Sequence, residues 1–151
     1  MATLNYTTTI AASRTVIEIQ ELLVGAGADR VMVGYTNKRP SSVSFVLDTP
    51  HGQRGFVLPV DVAAMHKVLV AQHRSREIER RRYTSEEQAE RTAWRVVKDW
   101  LAAQLTLVAA QMATLEQVML PYMVDETGAT TYDRYVERAG QLALGTGDET
   151  D

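Results

Sequence analysis

Residues 31–58, VMVGYTNKRPSSVSFVLDTPHGQRGFVL, carry the pattern that decides the fold. Apolar side chains recur at every second position in three short runs, which contain Val31, Val43 and Phe56. This period of two is that of a β-strand with one buried face. The segments between the runs are rich in turn-forming residues and favour short hairpins over helical crossovers. We therefore predict three antiparallel strands whose apolar face is covered by helices.

A helix is predicted on the N-terminal side of the strands. Thr15 and Glu18 have the spacing of a capping box, which indicates that the helix starts there. Gly25 or Gly27 can adopt the positive φ that commonly ends a helix. Between these signals one side of the helix is apolar, and we expect it to pack on the sheet through Val16, Ile19, Leu22 and Leu23.

Two longer helical segments follow the strands. Asp61 can cap the first of them, which runs towards residue 73. Thr84 and Glu87 have capping-box spacing ahead of the second segment. Apolar side chains three and four positions apart predict that this second helix spans residues 85–110 and forms the longest element of the protein.

The C-terminal part is also predicted to be mainly helical. Thr114 and Gln117 predict a short helix that Pro121 ends, and residues 125–130 are typical of a turn. A last helix is expected over residues 132–144, with an inward side formed by Tyr132, Tyr135 and Val136. The prediction is thus an α+β fold with an N-terminal helix, a three-stranded antiparallel sheet and a mainly helical C-terminal half.

One domain accommodates all of these elements. We expect it to cover residues 1–144, with the sheet part in residues 1–60 and the helical part in residues 61–144. Residues 145–151 are small and acidic, and they are predicted to form a disordered tail.

Composition excludes several classes of function. The 151 residues include no cysteine, which rules out disulfides, thiolate metal sites and cysteine nucleophiles. No apolar run approaches the roughly 18 residues that cross a bilayer, and the first residues lack the layout of a secretion signal. We therefore expect a cytoplasmic protein that does not bind membranes.

Patterns of catalytic and metal-binding residues are missing from the sequence. His66 and His73 lie seven positions apart, but zinc normally takes three or four ligands. Neither a G-x-S-x-G elbow nor an S-x-x-K motif occurs. The prediction is therefore a protein without enzymatic activity, metal or cofactor. Carboxylates such as Asp61 or Asp99 are the alternative, since a fold can assemble a site that spacing does not show.

The charge pattern gives the leading hypothesis. Residues 72–114 contain 8 basic and 6 acidic residues, whereas residues 115–151 contain 2 and 8. Arginine pairs well with phosphate, and a neighbouring aromatic ring can stack on an unpaired base. We therefore predict contacts to DNA or RNA from Lys38, Arg39, Arg74, Arg76, Arg80, Arg81, Arg82 and Arg91, with Tyr83 as a stacking residue. Glutamates that interleave with these residues could instead neutralise them through pairs three or four positions apart.

A protein-interaction module is the alternative hypothesis. It would be a homo-oligomer, or a binder or inhibitor of a host or phage protein, acting through the apolar faces of the C-terminal helices. A short helix ended by proline can present apolar side chains without deep burial. The predicted partner-binding residues are Leu115, Met119, Tyr122 and Met123.

Four phrases resemble a family of small uncharacterised proteins of bacteriophages, prophages and mobile elements. They are NYTTTI (5–10), TVIEIQELLVGAGA (15–28), TPHGQRGFVLPVD (49–61) and AERTAWRVVKDWLAAQLTLVAAQMATLEQVMLPYM (89–123). The resemblance implies an accessory role in the host cytoplasm, where such proteins often handle DNA or bind host factors. It brings no functional residues with it. We therefore expect a non-enzymatic, phage-type accessory protein that binds nucleic acid through its arginine-rich segment.

Overall fold

A computed structural model describes residues 1–139 and confirms the α+β class. The helices and strands follow in the order α1 (Ala12–Gly25), β1 (Arg30–Thr36), β2 (Arg39–Thr49), β3 (Gly52–Val57), α2 (Val62–Arg74), α3 (Glu86–Ala109), α4 (Leu115–Met119), β4 (Met123–Val124) and α5 (Thr131–Glu137). Short 3₁₀ turns at Arg81–Thr84 and Leu120–Tyr122 precede α3 and β4. The predicted end of the last helix at residue 144 and the predicted acidic tail lie outside the described residues.

The strands form one antiparallel sheet in the order β1-β2-β3-β4. The three predicted strands and their hairpins are confirmed. Asn37 and Lys38 form the two-residue turn between β1 and β2 with positive φ at both positions, which matches the twist of a hairpin. In the middle of the sheet, Phe45 lies opposite Val31 and Phe56, and the two phenyl rings stack with centroids 5.2 Å apart.

Two helices cover one face of the sheet. The core between them contains apolar residues of α1, of β2 and β3 and of α3, with Met119 of α4 added at one end. Trp94 is completely buried there, whereas Trp100 remains partly exposed and packs edge-on against Tyr122. A second, smaller cluster of Leu69, Ile78 and Ala89 joins α2 to the start of α3.

α1 and α3 lie side by side and run in the same direction. The N-terminus of α1 lies near the first turns of α3, and the C-terminal ends of both helices border a common groove. In between, the guanidinium group of Arg95 on α3 donates a hydrogen bond to the carboxylate of Glu18 on α1. Both N-terminal ends therefore lie at one end of the protein, and both C-terminal ends lie at the other.

Two of the predicted helix starts are wrong. α1 begins at Ala12, so Thr15 is a fully buried residue inside the helix rather than its cap. α3 begins one residue later than the Thr84 cap implied, because the Ser85 hydroxyl accepts from the Gln88 amide at 3.1 Å. The Thr84 hydroxyl instead donates to the Arg81 carbonyl at 2.6 Å.

The remaining predicted caps are confirmed. The Asp61 carboxylate accepts from the Ala64 amide at 2.9 Å at the start of α2. Thr114 and Gln117 form a complete capping box at the start of α4. The prediction for the last helix was correct in type but wrong in orientation, since Tyr132, Tyr135 and Val136 are all more than half exposed. No other element within residues 1–139 covers that side of α5.

The same C-terminal motif ends α1, α2 and α3. One residue after the cap adopts a positive φ, and two backbone amides bond back to carbonyl groups of the last turn. Gly27 holds that position after α1, as the sequence predicted, with φ 99°. Arg76 holds it after α2 and Gln111 after α3, so two side chains occupy a conformation that favours glycine.

The N-terminal residues cross α2 and α3 as a strap, defined here as residues 3–8. The amide and hydroxyl of Thr3 donate to Gln72 of α2 at 3.0 and 2.9 Å. The buried side-chain amide of Gln88 donates to the carbonyl groups of Tyr6 and Thr8 at 2.8 and 2.9 Å. These bonds satisfy backbone carbonyl groups that would otherwise have no partner in the strap.

Candidate nucleic-acid interface

The predicted arginines lie mostly in one stretch, residues 74–82, which runs from the last residue of α2 towards α3 and which we name the arginine segment. Its backbone is anchored by Ile78, whose side chain is completely buried in the second cluster. The Ile78 amide donates to the carbonyl of Gln72 at 3.1 Å, and the Nδ1 atom of His73 lies 2.9 Å from the carbonyl of Ile78. The segment is thus held in a defined position at the end of α2.

Five arginine side chains point outwards from this anchored backbone. All five are exposed, and no carboxylate of residues 1–139 lies within 4.0 Å of any of their nitrogen atoms: Arg74, Arg76, Arg80, Arg81 and Arg82. The interleaved glutamates Glu79 and Glu86 therefore do not pair with them. The arginine segment presents several unpaired positive charges on one part of the surface.

The ring of Tyr83 is already engaged. It packs edge-on against Tyr6 with ring centroids 5.4 Å apart, and the guanidinium carbon of Arg82 lies 4.8 Å from its centroid. Arg82 also donates to the Tyr83 hydroxyl at 2.7 Å. A base that stacks on the face next to Arg82 would have to displace that guanidinium group, which argues against the predicted stacking role of Tyr83.

Lys38, Arg39 and Arg91 form a second basic group, separate from the arginine segment. They line a pocket of about 260 Å³ beside Ala12 and Ser13, at the N-terminus of α1. α1 has no side-chain cap and no acidic residue in its first turn, so its exposed amides add a partial positive charge.

The members of this second group differ in how far they are engaged. Lys38 is exposed in the hairpin turn. Arg39 pairs with Glu90 at 3.3 Å. The predicted contact between Arg91 and nucleic acid is corrected. The side-chain nitrogen atoms of Arg91 already donate to Glu87 at 2.8 Å and to Gln88 at 3.1 and 2.8 Å. It braces the Gln88 side chain and is not a phosphate clamp in this conformation.

The predicted partner-binding residues do not form an exposed patch. Met119 is completely buried in the main core, which corrects its assignment to the surface. Leu115, Tyr122 and Met123 pack against the same core and are only partly exposed. The short helix α4 therefore closes the core instead of presenting an apolar face, although Leu115 also borders the groove between α1 and α3.

Two of the three histidines have other partners. His51 lies 3.1 Å from the carboxylate of Glu116, and His73 bonds the backbone of the arginine segment. Across residues 1–139, no group of three or more histidine, aspartate or glutamate side chains is arranged to hold a metal ion. No helix in this part of the chain is both long enough and apolar enough to cross a membrane.

Sequence reasoning missed Ile78, which anchors the arginine segment, and Gln88, which holds the strap and Arg91. Both are buried, and both make their contacts with residues from distant parts of the chain. The one local signal was the apolar Ile78 in the middle of a strongly charged run, which indicates an anchor point. Comparisons with protein-family models, with curated proteins and with solved structures give no match. The resemblance to a phage family therefore stays a prediction.

Proposed function

We propose that the protein binds nucleic acid through contacts between the arginine segment and backbone phosphates. The observation that carries the proposal is that five exposed guanidinium groups have no carboxylate partner within residues 1–139. Such groups can pair bidentately with phosphate oxygens. DNA and RNA are both candidates.

The anchoring of the segment supports this proposal. Burial of Ile78 and the backbone bonds to Gln72 fix the chain from which the arginines project. Binding then orders side chains but not the backbone, which lowers the entropic cost of association. The engaged ring of Tyr83 favours phosphate contacts over base stacking, so little preference for sequence is expected.

Arg76 provides a further argument. It occupies the left-handed position that Gly27 occupies after α1, and a side chain costs about 1 kcal/mol in that conformation. A glycine there would give a more stable helix end. Gln111 has the same conformation after α3, so the argument rests on the exposed positive charge that Arg76 adds at this strained position.

Fluorescence anisotropy of labelled single-stranded and duplex DNA and RNA tests the proposal when it is repeated at several salt concentrations. Affinity should fall steeply with salt, because phosphate contacts release counterions. Replacing Arg80, Arg81 and Arg82 by alanine should lower the slope of log K against log salt by up to about 2.7 for duplex DNA. Absence of binding at low salt would overturn the proposal.

Two controls make this experiment specific. Arg14→Ala, Arg30→Ala and Lys67→Ala together remove the same charge from exposed positions elsewhere, and they should leave most of the affinity intact. Arg76→Gly should weaken binding while it raises the melting temperature, so loss of fold cannot explain its effect. Equal losses in the control triple variant and in the Arg80–Arg82 variant would show that only net charge matters.

A further inference from the structure

We propose that the groove between the C-terminal ends of α1 and α3 binds a basic amphipathic helix of a partner protein. The groove lies at the opposite end of these parallel helices from the basic group at the N-terminus of α1. The proposal therefore goes beyond nucleic-acid binding and does not depend on it. It rests on the lining, the length and the charge of the groove.

The lining of the groove is largely apolar. Leu22 of α1, Leu105 and Val108 of α3 and Leu115 of α4 line it, and each keeps part of its side chain exposed. Its volume is about 760 Å³. Exposed apolar side chains that gather in one concave place are typical of an interaction site.

The shape of the groove fits a helix better than a small molecule. It follows α3 from Lys98 to Ala109, which corresponds to roughly 16 Å at 1.5 Å per residue. A partner helix of about three turns would cover this length. Its apolar side chains, spaced three and four apart, would enter the space between α1 and α3, as in other helix-in-groove complexes.

The charge of the groove determines the chemistry of the partner. α1 and α3 both end there, and neither has a basic residue in its last turn to offset the partial negative charge of a helix C-terminus. Glu21 is exposed on the rim and pairs with no cation within residues 1–139. Lys98 lines the groove one turn after Arg95, level with Glu21, and pairs with Asp99 at 3.7 Å. Lysine or arginine of the partner helix between Glu21 and the C-terminal ends of α1 and α3 would complement this arrangement.

Binding of a fluorescein-labelled 14-residue Leu/Lys peptide tests the proposal, with leucines placed three and four apart and lysines elsewhere. We expect saturable binding to the full chain, with ¹⁵N chemical-shift changes confined to residues of the groove. Glu21→Lys should weaken binding by about tenfold, the equivalent of one partly desolvated charge pair. Glu126→Lys, at an exposed position in a different region, makes the same charge change and should have little effect.

A second pair of variants tests the apolar contacts. Val108→Ser should weaken binding of the peptide. Ile17→Ser, at a 55% exposed position of α1 outside the groove lining, should leave binding unchanged. Circular dichroism of each variant checks that the fold is retained. Equal binding of a scrambled peptide, or equal effects of Glu21→Lys and Glu126→Lys, would overturn the proposal. So would concentration-dependent self-association that Val108→Ser abolishes, because the occupant would then be a second copy.

Discussion

Arg76 and Gln111 hold the same left-handed backbone conformation, with φ of 62° and 61°, at equivalent positions after α2 and α3. Each residue donates its amide to a carbonyl of the last helical turn, and the next residue donates to a carbonyl farther back. Gly27 takes the same place after α1. The hydrogen bonds of this C-terminal motif therefore form even where the residue in the left-handed conformation is not glycine.

Gln111→Gly is expected to stabilise the protein by roughly 0.5–1 kcal/mol. The change removes the cost of a side chain in the left-handed region, and part of this gain is lost to the greater entropy of glycine in the unfolded chain. Gly27→Ala should destabilise the protein by a similar amount. The added methyl group would meet no other atom, but the backbone φ at this position is unfavourable for alanine. Urea unfolding of both variants measures the difference, and a lower stability of Gln111→Gly would contradict the assignment of strain.

Gln88→Ala is expected to cost about 1–3 kcal/mol, because it leaves the Tyr6 and Thr8 carbonyls and part of the Arg91 guanidinium without their partner. Hydrogen exchange in the strap should become faster. Gln104→Ala on the same helix is the matched control, since the Gln104 side chain makes no hydrogen bond within residues 1–139. Similar losses in both variants would mean that the strap is not held by Gln88.

Met119→Ala should destabilise by about 2–5 kcal/mol, whereas Leu120→Ala should change the stability by less than about 0.5 kcal/mol. The two neighbours differ in burial, with Met119 completely buried and Leu120 46% exposed. Chemical unfolding of the two variants side by side measures the difference. A small effect at Met119 would restore the prediction that α4 presents it to a partner.

Acid should weaken the loop between β4 and α5. Hydrogen bonds from Thr127, followed by those from Arg134, lower the pKa of Asp125 from 3.8 to about 2. Because this pKa is depressed in the folded state, its contribution to stability is present above pH 3.8 and is lost as the pH falls towards 2. Thr127→Ala should raise the pKa of Asp125, and a ¹³C titration of its carboxyl group by NMR measures the change. An unchanged midpoint in that variant would contradict the leading role of Thr127.

The strands and the long helix could be predicted because their apolar periods are strong. Helix starts were harder. α1 begins without a side-chain cap, so the sequence carries no capping signal at its start, and at α3 two capping signals lie one residue apart. Ser85 and Gln88 have the same spacing as Thr84 and Glu87, and only the packing of α3 selects between them. β4 could not be predicted, because two residues make no periodic pattern and its pairing partner β3 is distant in sequence.

The sequence shows which basic residues are available for the candidate interface, but it does not show which partners their side chains have in the fold. A run of arginines is visible in any sequence, whereas the partners of each side chain depend on the fold. The contact between Tyr83 and Tyr6 joins two segments that are distant in sequence. The bond from Arg91 to Gln88 joins two neighbours on α3, and it depends on the burial of Gln88. That Glu79 and Glu86 do not pair with the neighbouring arginines is equally a property of the tertiary structure.

The strap has a consequence for synthesis on the ribosome. Its residues are made well before Gln72, Gln88 and Asp99, to which they bond. At roughly 5–20 residues per second, these partners emerge several seconds after the strap itself. During that interval residues 3–8 are accessible to other proteins in the cell. A chaperone or protease that acts on the nascent chain would therefore meet this segment before it is protected.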